Sequence, residues 1–293
     1  MTSICYVLPS KYPSGGNKIA IEHLERLSKE GFDCYISCVS KHKDEIEDWL
    51  PIVNVKEVEF KREILEEMDC VTATYWETVN YIEALKLEKP SKYYFVQSTE
   101  WEFFNDNVSQ MKVWATLLNP NYTLLTEARW IQRVLQDKFR RQAHFVPNGL
   151  ELPEVEESEY KSNKPIVLVE GNVKSVKKGI FDAAKAVRDL KGEAEIWLLT
   201  NSTNTFPQSL MGIFDKKFQG LKWKEALSVI QRADILLKPS HLEGQSGPIM
   251  EAMALGTAVV ACNIPSVHEL IIHEWDGVLV PTGDHFEIGR AHV

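Results

Sequence analysis

The sequence ADILLKPSHLEGQSGPIMEAMALGTAVVA, residues 233–261, gives the clearest indication of the fold. It begins with a short apolar run, which is typical of a buried strand. A loop follows that holds Glu243 and the small residues Gly244 and Gly247, whose backbone can approach a ligand closely. An apolar helical segment and a second apolar run complete the stretch. Strand, glycine-rich turn, helix and strand in this order predict part of a parallel α/β sheet.

The turn inside this stretch has the features of an anion site. Pro248 suits the first helical position, so we expect a helix to begin there, with Glu251 in or just beyond its first turn. Backbone N–H groups at a helix start lack internal partners and lie at the positive end of the helix dipole. Glu251 follows Glu243 by eight residues and can return to the same cleft, where its two oxygens suit ribose hydroxyls. A lone turn of this kind is more often only structural, but two carboxylates at the carboxyl end of a strand favour a ligand site.

Strand-like and helix-like segments alternate along the rest of the chain. Short apolar runs such as ICYVLP and IVLVEGN alternate with amphipathic segments of helix length, which predicts doubly wound parallel sheets. The pattern breaks over residues 144–165, where Pro, Gly, Asn and acidic residues cluster, and we place an interdomain linker there. We therefore predict two Rossmann-like domains, the first over residues 1–150 and the second over residues 151–293.

Composition excludes several classes of protein. The 293 residues are 44% hydrophobic and 26% charged, which is ordinary for a globular chain, and exceed the size at which one core is convenient. A formal net charge of −9 argues against a nucleic-acid partner, which clustered Lys and Arg would bind. The five cysteines lack metal-ligand spacing, so we expect buried free thiols and a reducing cytoplasm. Neither a signal peptide nor a run of about 18 apolar residues is evident, so we expect no export and no membrane span.

Several motifs resemble one enzyme family. EGQSGPIME, preceded by KPS and followed by AMALGTAVVA, resembles the E-x7-E signature of retaining family 4 glycosyltransferases, which have the GT-B fold. GNVKSVKKGIFDAAKAV resembles the family's diphosphate-binding loop, YPSGGNKIAIEHLERL its glycine-rich first loop and helix, and FVPNGLE its interdomain crossover. YYFVQSTEWEFF is similar to a segment of bacterial surface-polysaccharide members, among which rhamnosyl- and related hexosyltransferases are nearest. The resemblance spans nearly the whole chain.

The resemblance implies a role for each site residue. Glu251 would hold the donor ribose, Glu243 would contact the donor sugar, and Lys178 would neutralise the diphosphate. The catalytic residues would be Glu243 and Lys178. The remaining donor-binding positions would contribute mainly backbone, and they are Gln245, Ser246 and Gly247 in the turn with Gly15 and Gly16 in the first domain.

The sequence departs from the family at the diphosphate loop. Asn172 occupies the position where the family usually has arginine, so Lys174 and Lys177 stay open beside Lys178 as phosphate contacts. A solvated basic loop is the plainer alternative for these lysines. No D-x-D occurs, so we expect no metal and no cofactor, and the leaving diphosphate must be stabilised by lysine and a helix start.

The sequence identifies residues on the acceptor side less specifically than those that would bind the donor. The family often has a histidine facing the sugar in the first domain, and this chain has Gln97 and Glu100 in that region. Glu100 is either a base for the acceptor or a surface carboxylate. The resemblance also implies a helix that follows PTGD and crosses back to the first domain. Because the sequence ends GDHFEIGRAHV, we expect that crossover helix to be missing from it.

These observations predict a retaining transfer of a hexosyl group from a nucleotide-diphosphate sugar to a glycan or lipid-linked acceptor. The basic residues 138–141, KFRR, are either a contact with the inner face of an anionic membrane or only a polar helix end. A catalytically silent, glycosyltransferase-like partner subunit is the main alternative. A nicotinamide-dependent oxidoreductase is a weaker one, because G-x-G-x-x-G does not follow the first strand.

Overall fold

The computed structural model divides the chain into two compact units, Met1–Asn148 (unit 1) and Gly149–Val293 (unit 2), and each is described by itself. The residues that the structure describes are 1–40, 52–154, 162–201, 208–210 and 212–290. Residues 155–161 of the predicted linker lie outside this part.

Within its described residues, unit 1 contains one sheet of seven strands. The strands are β1 (Ser3–Ser10), β2 (Asp33–Ser40), β3 (Lys56–Glu59), β4 (Cys70–Ala73), β5 (Ser91–Val96), β6 (Thr123–Thr126) and β7 (Ala143–Phe145). Their order is β3-β2-β1-β4-β5-β6-β7, and every neighbouring pair is parallel. The α-helices among these described residues are α1 (Gly15–Lys29), α2 (Arg62–Leu65), α3 (Trp76–Ala84), α4 (Asn107–Leu118) and α5 (Arg129–Phe139).

Unit 2 repeats this plan with six described strands. They are β8 (Ile166–Glu170), β9 (Glu195–Thr200), β10 (Lys216–Gln219), β11 (Ile235–Lys238), β12 (Ala258–Cys262) and β13 (Val278–Val280), in the order β10-β9-β8-β11-β12-β13. All neighbouring pairs are parallel. The α-helices that the structure describes in this unit are α6 (Ile180–Ala186), α7 (Trp223–Arg232), α8 (Gly247–Ala254) and α9 (His285–Arg290).

Apolar residues cover both faces of the second sheet. On β8, Val167 and Val169 pack into one hydrophobic cluster, and Ile166 and Leu168 pack into the other. Successive side chains of a strand point to opposite faces, so a strand covered on both sides needs a continuous apolar run. This explains why IVLVE shows no alternation of polar and apolar residues.

The strand order predicts a crevice at the carboxyl ends of the strands in each unit. In unit 1 successive strands are added on one side of β1 up to β3 and on its other side from β4 onwards. In unit 2 the same switch in strand order falls between β8 and β11. The loops that follow such strands diverge, which leaves a crevice at their carboxyl ends. In unit 2 these ends are Glu170 and Lys238, on paired strands.

The structure confirms the two predicted doubly wound sheets and corrects some details. The helix after the signature turn begins at Gly247, so Pro248 is its second residue and not its first. The helix α4 was not predicted from the sequence. The five cysteines are free thiols, and two of them, Cys38 and Cys70, are only half-buried.

Candidate functional site

A buried lysine ends the central strand of unit 2. Lys238 is the last residue of β11, and its side chain is only 2% exposed. Its ammonium group forms ion pairs with Glu170, at the end of β8, and with Glu243, at 3.1 Å. Burial alone would lower the pKa of Lys238, but the two carboxylates raise it above its ordinary value. A positive charge is therefore fixed inside the carboxyl edge of the sheet.

Glu243 is shared between that lysine and a second one. The Lys178 Nζ donates to both carboxylate oxygens of Glu243, each at 2.8 Å. The Glu243 side chain is 9% exposed, whereas that of Lys178 is 31% exposed. Burial alone would raise the pKa of Glu243, but the Lys238 and Lys178 ammonium groups lower it to about 2. Glu243 is thus charged at neutral pH, and the more exposed lysine faces water in part.

The loop that carries Lys178 is locked onto the loop after β11. Gly179 has a φ of 63°, and a Cβ there would lie 2.0 Å from the Pro239 carbonyl oxygen. The His241 backbone N–H donates to the Lys177 carbonyl at 2.7 Å, and the His241 ring lies 2.9 Å from an Asp182 oxygen. Only glycine fits this approach without strain. The contact fixes where Lys178 leaves the backbone.

The other lysines of this loop do not join the ion-pair network. Lys174 and Lys177 are exposed at the surface. Asn172, at the position of the family's arginine, accepts a hydrogen bond from the Lys174 backbone N–H at 2.9 Å and so shapes the loop itself. The geometry favours Lys178 among the three lysines as the cation of this edge.

The signature turn ends at the start of α8, where a buried hydroxyl lies beside an open stretch of backbone. Ser246 is the N-cap residue of α8, and its buried hydroxyl makes no hydrogen bond to any residue that the structure describes. A Cβ added to Gly247 would meet nothing within 4 Å, so there is open space beside its backbone. Buried polar groups are normally paired, and one without a protein partner marks a place for a ligand atom or water. Gln245 lies half-buried beside them.

Glu251 belongs to a different contact. It is the fifth residue of the helical run GPIMEAMA, one turn beyond the helix start, and is buried. The Trp223 indole Nε1 donates to Glu251 Oε1 at 2.8 Å. Glu243 and Glu251 thus lie on the same strand-turn-helix unit, but different residues donate to them.

In unit 1 the structure brings together two of the predicted residues. Gly15 and Gly16 are the first residues of α1, whose N-cap Ser14 accepts a hydrogen bond from the Asn17 backbone. A Cβ on Gly16 would lie 3.1 Å from the Gln97 side-chain oxygen. Gly16 and Gln97 therefore share the carboxyl edge of the first sheet.

Glu100 is not a surface carboxylate, and that interpretation is wrong. Its side chain is buried, and its Oε2 accepts hydrogen bonds from the Trp76 backbone N–H and the Tyr94 hydroxyl, both at 2.8 Å. Burial raises the pKa of Glu100 to about 8, although these two hydrogen bonds oppose the rise. The side chain ties its loop to the start of α3.

Three contributors to the site were missed by sequence reasoning, namely Glu170, Lys238 and Trp223. A lysine that closes an otherwise apolar strand, ILLK, was the available signal for the first two, because a buried charge requires partners. Trp223 gave no comparable signal, since an aromatic residue at a helix start is usually explained by packing.

Among the residues that the structure describes, no three or more His, Cys, Asp and Glu side chains are grouped so that they could hold a metal ion. The described helices include none with the length and apolarity needed to cross a membrane.

Comparison with known proteins shows which family model and which folds the chain is similar to. Residues 164–292 match the family model described as glycosyl transferases group 1. A comparison with curated protein sequences found no match. Among solved structures, Alr3699/HepE of Anabaena in complex with UDP-glucose is similar, with a TM-score of 0.80 and 13% identity over 99% of this chain and 88% of that chain.

Two further structures are similar over their length. Sucrose-phosphate synthase of Thermosynechococcus elongatus has a TM-score of 0.80 and 17% identity over 100% of this chain and 89% of that chain. The lipopolysaccharide outer core galactosyltransferase WaaB has a TM-score of 0.69 and 13% identity, with the same shares covered. The protein therefore has the two-domain GT-B fold. The family match in unit 2 and the fold together support a glycosyltransferase.

Proposed function

We propose that the protein is a retaining, metal-independent glycosyltransferase. It moves a rhamnosyl or related hexosyl group from a nucleotide-diphosphate sugar to a glycan or lipid-linked acceptor. The observation that carries the proposal is the Lys178 ammonium, which is held by both oxygens of Glu243 and is one-third exposed at the carboxyl edge of the second sheet. A cation beside a helix start suits a diphosphate, and the similar HepE structure contains UDP-glucose.

Lys178 is the catalytic cation of this proposal. Before the donor binds, Glu243 holds the ammonium in place. When the diphosphate arrives, its oxygens take over that ammonium, and Glu243 stays paired with Lys238 while it contacts the donor sugar. Lys178 then stabilises the charge that develops on the diphosphate, which is where a preorganised cation lowers a barrier most.

The signature turn contributes the remaining donor contacts. The open backbone beside Gly247 and the buried Ser246 hydroxyl support contacts of the turn, with Gln245, to the sugar and the diphosphate. Glu251 binds the ribose hydroxyls. Gly15 and Gly16 leave room for the donor phosphates and the acceptor.

Retention follows from transfer on one face of the sugar. The resemblance to retaining family 4 glycosyltransferases implies a front-face transfer, in which the diphosphate oxygen that leaves the anomeric carbon takes the proton of the acceptor hydroxyl. The bond from that carbon to the diphosphate breaks as the bond to the acceptor oxygen forms. The product is a nucleoside diphosphate and a glycoside with the donor's anomeric configuration.

A donor screen tests the proposal. UDP-, GDP- and dTDP-hexoses are incubated with the protein, with and without EDTA, and released nucleoside diphosphate is measured. We expect slow hydrolysis of one donor, unaffected by EDTA, and an NMR spectrum in which the first sugar product keeps the donor's configuration. Calorimetry with the same panel separates the catalytically silent alternative, because a silent subunit releases nothing and binds none of them.

A peripheral contact with the inner, cytoplasmic face of a membrane is also proposed. It is supported by α4, which exposes Val108, Met111 and Leu118, and by Lys138, whose ammonium lies 4.6 Å from the Trp114 ring centre on that helix. Apolar residues beside a cation suit an anionic bilayer surface. We expect co-sedimentation with phosphatidylglycerol vesicles that Met111→Glu weakens. Equal sedimentation of both proteins contradicts this contact.

A further inference from the structure

Trp223 contacts the carboxylate that the proposed function assigns to the donor ribose. Its indole Nε1 donates to Glu251 Oε1 at 2.8 Å, although the two residues lie 28 positions apart. Trp223 is half-buried, while Glu251 is 7% exposed. A short hydrogen bond from a rigid ring to a largely buried carboxylate is not expected from packing alone.

The fold presents the indole from a fixed element. Trp223 is the first residue of α7, and the Glu225 carboxylate caps this helix by accepting from the Lys222 backbone N–H at 2.8 Å. Leu227 and Ile230, four and seven residues after Trp223, lie on the same face of α7 as the indole and are buried. Since α7 begins shortly after β10 ends, its start lies at the same carboxyl edge of the sheet as the signature turn.

A hydrogen bond to one oxygen restricts the whole carboxylate. Glutamate has three side-chain torsions, and the last of them is broad, so an unheld carboxylate samples many orientations. When Oε1 is fixed by the indole N–H, the planar group can turn little, and the direction of Oε2 is fixed as well. Recognition of a neighbouring pair of hydroxyls requires such preorganisation to within about 0.5 Å.

We propose that Trp223 is a positioning residue for Glu251, and that it sets the preference of the site for a ribose over a 2′-deoxyribose. The inference rests on the proposed function, because it needs Glu251 to bind the ribose. It goes beyond that function by assigning the donor to the ribonucleoside diphosphates. It also assigns part of this selectivity to an indole N–H that never touches the nucleotide.

The test compares ligand and protein changes in one cycle. UDP and 2′-deoxy-UDP, or the GDP pair if the donor screen selects guanosine, are titrated calorimetrically into the wild type, Trp223→Phe, Trp223→His and Glu251→Gln. Lys224→Ala, an exposed neighbour on α7, is the matched control. Phenylalanine keeps the ring and removes the N–H, whereas histidine offers a ring N–H again. Thermal melts of each variant check folding.

We expect the wild type and Lys224→Ala to prefer the ribonucleotide. Trp223→Phe should lose about 3- to 10-fold in affinity for UDP, as expected for one lost hydrogen bond, and almost none for 2′-deoxy-UDP. Trp223→His should recover part of the preference. An effect of Trp223→Phe on both nucleotides alike indicates a merely structural residue and overturns the inference.

The remaining outcomes separate the two proposals. If Glu251→Gln abolishes the ribose preference while both Trp223 variants keep it in full, the proposed function stands and the positioning role of Trp223 is overturned. If Glu251→Gln keeps the full preference, or if the wild type has none, the ribose role of Glu251 fails and the inference fails with it.

Discussion

Glu243 and Glu100 are both buried carboxylates that follow a strand at the carboxyl edge of their sheets, and their charges differ. Burial raises the pKa of each. Glu243 faces two ammonium groups, which lower its pKa to about 2, whereas Glu100 accepts from a neutral hydroxyl and a backbone N–H, and its pKa stays at about 8. The charge of the partner, and not the depth of burial, decides whether such a carboxylate is ionised.

Because their charges differ, Glu243 and Glu100 have different roles. In unit 2 the ionised Glu243 holds the Lys178 ammonium in place, so that Lys178 can exchange this carboxylate for another anion. In unit 1 the Glu100 carboxyl holds a loop to the start of α3 and keeps its proton at neutral pH. Only the first arrangement suits the binding of a diphosphate.

The largest effect is expected from removing the buried cation. Lys238→Met leaves Glu170 and Glu243 as facing carboxylates without their shared ammonium group, so the free energy of unfolding should fall by about 3–5 kcal/mol. Lys174→Met, at an exposed lysine, should change it by less than about 0.5 kcal/mol. Urea denaturation followed by circular dichroism measures both. Similar losses in the two variants would show that Lys238 is not the charge that holds Glu243.

The second effect is a pH dependence at Glu100. Its folded pKa of about 8 lies above the ordinary value of 4.5, so the folded state keeps a proton that the unfolded state loses. Stability from this group is therefore complete below pH 4.5 and declines as the pH rises towards 8. Glu100→Gln cannot lose a proton, and its stability relative to the wild type should improve by about 3 kcal/mol between pH 5 and pH 8.

Glu243 has the opposite sign. Its folded pKa is depressed, so its contribution to stability is present above its ordinary pKa and is lost only as the pH falls towards 2.

For Glu100, amide hydrogen exchange at Trp76, whose backbone N–H donates to the Glu100 carboxylate, reports the local change in unit 1. A constant difference in stability between Glu100→Gln and the wild type from pH 5 to pH 8 would mean that Glu100 is already ionised when folded.

The smallest effect is expected where unit 1 packs a glycine against a predicted site residue. A Cβ on Gly16 would press on the Gln97 oxygen at 3.1 Å, whereas one on Gly15 would meet nothing within 4 Å. Both changes reduce the freedom of the unfolded chain similarly, so their difference isolates the contact. We expect Gly15→Ala to be more stable than Gly16→Ala by about 0.5 kcal/mol. Equal melting temperatures of Gly15→Ala and Gly16→Ala would show that the contact between Gly16 and Gln97 does not affect stability.

The sequence was sufficient for the two sheets and for the signature turn. Apolar runs, glycines and Pro248 act over a few residues, so the strand, turn and helix of residues 233–261 are encoded locally. The spacing of Glu243 and Glu251 likewise places both on one unit. Lys178 was identified through the family resemblance, and the structure brings it to Glu243.

Contacts between distant segments could not be predicted. Lys238 and Glu170 lie 68 positions apart and meet only because β8 and β11 are neighbours, which the strand order decides. The burial of Glu100 likewise depends on α3 and β5. The helix α4 escaped prediction because several of its apolar residues are exposed, such as Met111, so they do not mark a single buried face.

The most direct test of the donor site is the steady-state kinetics of Lys178→Ala beside Lys174→Ala, with the donor that the screen selects. If Lys178 stabilises the leaving diphosphate, its removal should lower kcat by about 10²- to 10³-fold, while Lys174→Ala stays within about twofold of the wild type. An unchanged kcat in Lys178→Ala, or an equal loss in both variants, would contradict the assignment of Lys178 as the catalytic cation.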